Sequence, residues 1–225
     1  MAETKNLKIP KIQFDDNFPD LRKISKTIEE HGTKTEISEV NWQDYSYKPG
    51  VTLFCAYTQK EILLKYCVSE KYILARHSTV NSPVYEDSCV EFFISAGKGP
   101  YYNFEFNCIG TVNAGYGEQR EDRISLKDSI LSIIRTYPSL GNRGFELKEA
   151  DKPWELIIAV PFSVFKENEF LDPVGNRFRA NFYKCGDKLP VPHFLSWNPI
   201  LTKEPDFHRS EFFGTLSFNI HPLFC

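Results

Sequence analysis

The 225-residue sequence predicts an all-β protein, an antiparallel β-sandwich carrying one N-terminal amphipathic helix. Three observations lead there. Aromatic residues make up 15% of the chain, with 19 Phe and 11 Tyr, and flat or branched side chains pack well on a pleated surface. Short apolar or alternating runs recur from Val51 onward, giving about ten candidate strands separated by turn signals. Ala-rich helical segments are absent, so the layers able to bury such strands are a sandwich or a closed barrel.

In chain order, the first sixteen residues read as extended or loose. Pro19 suits the first turn of a helix, and Leu21, Ile24 and Ile28 recur at helical spacing until Gly32, so Phe18–His31 reads as the helix. Val51–Thr58 and Ile62–Val68 follow as strands around the turn Gln59-Lys60-Glu61, and Tyr72–Arg76 continues the second after a break. Ser88–Ser95 and Tyr101–Cys108 form a hairpin through Ala96-Gly97-Lys98-Gly99-Pro100. Ile130–Thr136, Trp154–Val160, Phe178–Lys184 and Gly214–Asn219 are the later strands, and Pro161–Phe165 adds a helical turn. No Pro-, Gly- or Ser-rich stretch splits the composition. We therefore assign residues 1–34 to an N-terminal extension and helix, and 35–225 to one sandwich domain.

Formal net charge is -3, so no global basic field favours nucleic acid or an anionic membrane surface. No segment approaches the roughly 20 apolar residues of a membrane helix. Met1–Lys11 carries no secretory pattern, and the chain reads as cytoplasmic. Six cysteines, none in a Cys-x-x-Cys pair, mostly fall in apolar strand patterns and read as buried thiols.

The chemistry lies in the alternation. Tyr102, Phe104, Phe106 and Cys108 face one way, while Asn103, Glu105 and Asn107 face the other. In the preceding arm Glu91 shares a face with Cys89 and Phe93. Phe178–Cys185 alternates likewise, opposing Arg179, Asn181 and Tyr183 to Phe178, Ala180 and Phe182. Glu91, Glu105, Arg179 and the three Asn are thus expected on one concave sheet face. Two long connections, Gly115–Lys127 and the four-proline return Lys184–Asp206, are candidate walls. Tyr85 and Trp197 stand near these elements. A sugar ring presents C–H faces to flat aromatic walls and a hydroxyl rim to amides, carboxylates and Arg, and these residue types suit such a ligand.

The runs Tyr85-Glu86-Asp87-Ser88-Cys89-Val90-Glu91 and Tyr101-Tyr102-Asn103-Phe104-Glu105-Phe106-Asn107, with Arg179-Ala180-Asn181-Phe182-Tyr183 and Ser196-Trp197-Asn198-Pro199, resemble the family 9 carbohydrate-binding modules from about Ile37 to Phe218. The resemblance implies a DOMON-type sandwich that holds a sugar, often a reducing end, between two aromatic side chains without cleaving it. Tyr85 and Trp197 fall at the stacking positions, with Asn198 beside the second. Glu86, Asn107 and Arg179 are further polar candidates, beside Glu91, Asn103 and Glu105. No catalytic residue and no cofactor is implied; structural calcium is allowed, though no Asp-rich loop names ligands. Tyr85 departs from the Trp of members with an established clamp. The 225 residues read as no hydrolase domain, and the expected enzyme partner is a separately encoded glycoside hydrolase.

Three rivals remain. A glycoside hydrolase needs two carboxylates about 5–10 Å apart, for which Glu86, Asp87, Glu91 and Glu105 are candidates. Bis-His haem ligation would draw on His77, His193, His208 and His221. A protein-interaction module would need no sugar at all. His193 and His208 are also candidates for the site's lining.

Overall fold

The computed structural model describes residues 4–97, 99–165 and 175–224, the last five as backbone only. Cys225 and the side chain of His221 therefore lie outside the described residues. The strands in chain order are β1 (Asn6–Gln13), β2 (Thr33–Glu36), β3 (Glu39–Val40), β4 (Gly50–Tyr57), β5 (Glu61–Ser69), β6 (Tyr72–Ala75), β7 (Cys89–Ser95) and β8 (Tyr101–Asn107). Then come β9 (Val112–Gly117), β10 (Ile124–Ser125), β11 (Arg135–Pro138), β12 (Phe145–Glu149), β13 (Trp154–Pro161), β14 (Arg177–Cys185), β15 (Phe194–Ser196) and β16 (Gly214–Phe224). Fourteen of them join into one curled sheet along the path β10-β9-β8-β7-β14-β16-β1-β4-β5-β13-β11, with β2 on β4 and β15 linking β14 to β3, and its two halves face each other as a sandwich; β6 and β12 pair separately. Among the described residues no helix is long and apolar enough to cross a membrane.

The central core lies between the halves. Val90, Phe92, Ile94, Phe104, Phe106 and Phe182 come from one half, and Leu53, Leu64, Leu156 and Ile158 from the other. Each set is the apolar side of a period-2 pattern, so burying it turns the alternate residues outward. The α-helix α1 (Leu21–His31) covers the outer side of the second half, its Leu21, Ile24 and Ile28 packing on Ala56, Leu63, Ile157 and Ala159. It starts three residues later than the sequence pattern predicts. Asp20 caps it by accepting from the Arg22 N–H, which leaves Phe18 and Pro19 before the cap.

The sheet is antiparallel except at β1, which runs parallel to β16 and meets β4 in parallel at Lys11 and Tyr57. The loose N-terminal segment of the sequence reading is thus an interior strand, with Leu7, Ile9 and Ile12 buried. Pro10 obscures it in the sequence, because proline removes a ladder donor. The register shifts between Ile9 and Lys11, an irregularity of the kind that admits proline inside a sheet.

Candidate functional site

The outer side of β7, β8 and β14 is a second buried surface. Phe93, Tyr101, Tyr183 and Cys185 of these strands pack under Trp42, Val84, Ile200, Phe207 and Phe213 from the loops. The loops do not close completely. A cavity of about 340 Å³ remains, within the size range of small-molecule sites. Its floor is Glu91, Asn103 and Glu105; Gly115 and Arg123 stand at the β9–β10 side, Cys185 ends β14 beside it, and Asp187 and His208 belong to the late loops. Tyr85, Phe194 and Phe207 supply aromatic surface, and the Tyr85 ring is 38% exposed.

Register brings the two floor carboxylates together. Glu91 and Glu105 are direct cross-strand partners, and Cys89 lies opposite both Asn107 and Cys185. Side chains so paired on one face have Cβ atoms about 4.5–5.5 Å apart. Glu105 accepts from Asn103 Nδ2 at 2.9 Å and from Asn113 Nδ2 at 2.8 Å. Glu91 accepts only from the Cys185 thiol, at 3.1 Å on Oε1; its Oε2 has no hydrogen-bond partner among the described residues, although the residue is 3% exposed. Burial raises both carboxyls above their usual range, and for Glu91 the neighbouring Glu105 adds to it. Asp187 is raised to about 6, chiefly by burial and against the pull of Arg120.

The cationic side is weaker than its residue count suggests. Arg123 donates to Asn103 Oδ1 and the Tyr101 carbonyl, both at 2.7 Å, and reaches the Gly115 and Gly117 carbonyls at 3.3 and 3.2 Å. Its guanidinium lies 4.2 Å over the Tyr101 ring, and burial lowers its pKa. Gly115 makes this approach feasible, because a Cβ there would stand 3.1 Å from Asn103 Oδ1. Arg120 is exposed at the rim. His208 shares a hydrogen bond with the Tyr101 hydroxyl at 2.9 Å, and burial beside Arg123 drops its pKa to about 3, so it is neutral.

Of the nine residues singled out by the sequence, Tyr85, Glu91, Asn103 and Glu105 line the cavity. The other five do not. Trp197 is 2% exposed in the central core, edge-on to Phe182, with its Nε1 donating to Thr35 Oγ1. Its ring lies so close to Gly214 that a Cβ there would be 2.4 Å from Cζ3. The expected second stacking residue is thus a core anchor. Asn198 receives the Lys5 N–H and donates to the Phe212 carbonyl, fixing loops together. Asn107 bonds Asp87, the His77 carbonyl and the Thr111 N–H. Arg179 donates to the Glu211 and Phe213 carbonyls. Glu86 lies 3.3 Å from His77 Nε2. These polar groups are consumed by the scaffold, as buried ones must be.

Both connections expected as walls do line the cavity, through Arg120 and Arg123 on one side and Asp187, Phe194 and Asp206 on the other. His208 lines it; His193 instead shares a hydrogen bond with Lys184 in the interior. Among the described residues, two groups of side chains could converge on an ion, Cys89 with Glu91 and Cys185, and Glu29 with Cys67 and Glu155. Each contains a thiol, a soft donor unlike the oxygen shell that calcium takes, so neither fits the calcium the resemblance allows.

A twisted β-sandwich with a polar-floored, aromatic-flanked pocket on its outer sheet face is the architecture of a binding module. The model of carbohydrate-binding family 9 matches residues 24–218, and the chain belongs to that family. The match takes in most of α1 as well as the sandwich. A solved Bacteroides uniformis protein, provisionally described as carbohydrate-binding, is 39% identical over 96% of this chain and all of its own, with a TM-score of 0.91. Two structures of a family 9 module from Caldicellulosiruptor kristjanssonii share the fold at 9% and 8% identity. They cover 96% and 95% of this chain and 94% and 95% of theirs, with TM-scores of 0.58 and 0.59. One holds cellotriose and the other glucose. No curated protein matches the chain.

Proposed function

We infer that the chain binds a mono- or oligosaccharide, without cleaving it, in the cavity over β7 and β8. The observation that carries this reading is the floor itself: a carboxylate pair and amides on rigid strands, beside an exposed Tyr85 ring. Rigid polar groups select a hydroxyl rim, and the ring covers a C–H face. Phe194 and Phe207 take the apolar role first expected of Trp197. The ligands held by the Caldicellulosiruptor modules and the description of the Bacteroides relative support the same ligand class. In this reading the protein serves carbohydrate breakdown beside a separately encoded glycoside hydrolase.

Calorimetric titration with glucose, cello-oligosaccharides and other mono- and oligosaccharides tests it. Saturable heat is expected, weakened at least about tenfold in Tyr85→Ala, the loss expected for about 1.4 kcal/mol of stacking. Silence across the panel by a folded protein would overturn the reading. Chromatography of the same mixtures is expected to return the oligosaccharides uncut. Cleavage that stops in Glu91→Gln or Glu105→Gln would mean a hydrolase instead.

A further inference from the structure

Resting on that reading, we propose that the preferred ligand is an amino sugar, whose ammonium group sits at the floor of the cavity against Glu91 and Glu105. The geometry comes first. Two carboxylates stand directly opposite each other across β7 and β8, and among the described residues no Lys or Arg forms an ion pair with either. Glu105 is held by the amides of Asn103 and Asn113, which donate hydrogen bonds but carry no charge. Glu91 is almost wholly buried yet lines the cavity, and among the described residues its carboxylate accepts only from the Cys185 thiol on Oε1. Once ionised, a carboxylate oxygen there accepts and cannot donate, so the complement that favours its ionised form is a donor, and a cationic donor gains most.

The remaining charges favour a cation over an anion. Asp187 and Asp206 add acidic groups to the lining, while Arg120 and Arg123 are its only permanently positive side chains. Arg123 is engaged by three carbonyls and an amide, and Arg120 is exposed at the rim; each lowers a floor carboxyl, Arg123 that of Glu105 and Arg120 that of Glu91, by less than burial raises it. His208 is neutral and contributes no charge. Facing the floor from every side are Cys89 and Cys185, both buried thiols, Glu105, Asp187 and these two arginines. The raised carboxyls agree with a site that lacks its cation when empty: an ammonium would restore their ordinary acidity and be bound more tightly in return. The partly exposed Tyr85 ring beside the cavity favours a cation as well.

The test compares four probes of similar shape at neutral pH by calorimetry: glucosamine, glucose, N-acetylglucosamine and glucuronate. Glucosamine is expected to bind about tenfold more tightly than glucose, a gain that acetylation of the amine removes and that Glu91→Gln reduces toward parity. The ratio of the two affinities, measured on protein whose circular dichroism is unchanged, separates charge recognition from damage to the pocket. Glucosamine binding no better than glucose, or glucuronate binding better than both, would overturn the amino-sugar assignment and leave carbohydrate binding standing. Silence toward these probes and toward the oligosaccharides above would overturn both.

Discussion

Two buried carboxylate sites of the same sandwich have opposite characters. At the end of β5, the Glu70 side chain is fully buried, yet it accepts from Trp154 Nε1 at 2.8 Å and lies 2.9 Å from Lys184 Nζ, an ion pair off the hydrogen-bond axis. Lys184 in turn donates to the Cys185 carbonyl at 2.8 Å and meets His193 Nε2 at 2.9 Å. Burial and the adjacent ammonium push His193 down to about 3, keeping it neutral as a partner. On the outer sheet face, Glu91 and Glu105 have amide and thiol partners and, among the described residues, no cation paired directly with them. The first site is closed and neutralised, a scaffold element; the second is open and short of positive charge, which is what a ligand can supply. Burial alone does not distinguish structure from function; the state of charge compensation does.

Breaking the closed site should cost most. Lys184→Met leaves Glu70 charged and uncompensated, and the unfolding free energy from urea denaturation is expected to fall by about 3–5 kcal/mol. Glu91→Gln, at the open site, is expected to leave stability unchanged or raise it, because it removes a repulsion between desolvated carboxyls. A loss equal to that of Lys184→Met would erase the distinction. Trp197→Ala, which empties part of the central core, is expected to cost about 3–5 kcal/mol in the same assay. Tyr85→Ala should change stability by less than about 1 kcal/mol, since the residue is 38% exposed and its ring borders the cavity, while weakening sugar binding.

The pH profile sharpens the contrast further. Asp187 has its folded pKa raised to about 6, so the native state there holds a proton that the unfolded state has lost. Its favourable contribution is complete below about pH 4, the ordinary range of an unfolded Asp, and is lost as pH rises through about 6. Denaturation midpoints in a pH series are expected to fall across that window, with a shallower fall in Asp187→Asn. An unchanged slope in the variant would place the titrating group elsewhere.

The sandwich was legible in the sequence because a period of two writes the face of each side chain directly. Phe92, Phe104 and Phe182 went inward, and Glu91, Asn103 and Glu105 outward together, as their alternation requires. Strand β1 was hidden by Pro10 and its irregular register, and β9 and β10 by the polar, charged segment that joins them. The site was half legible. Its strand-borne floor followed from alternation, whereas Arg123, Asp187, Phe207 and His208 reach it from loops whose return no local pattern encodes. The polar, glycine-flanked Gly115–Lys127 was the one signal for Arg120 and Arg123. Trp197 misled because an aromatic between Ser196 and Asn198 in a proline-rich return looks alike whether it faces a ligand or fills the core; the contact with Gly214 that settles its place is tertiary.

The parallel pairing of β1 with β16 also sets an order of assembly. Asn6 is matched to Thr215 and Leu7 to Leu216, so β1, which can meet β4 at Lys11 and Tyr57 early, gains its long partner only when a segment far along the chain emerges. At a translation rate of about 5–20 residues per second, β1 waits on the order of ten seconds or more beside a half-built sheet. Closing so long a span is entropically costly and slow, which makes this seam a natural late step in folding. Since β16 also pairs with β14, the strand opposite the cavity's Glu91, the sheet that carries the site becomes continuous with the other half only when that seam is closed.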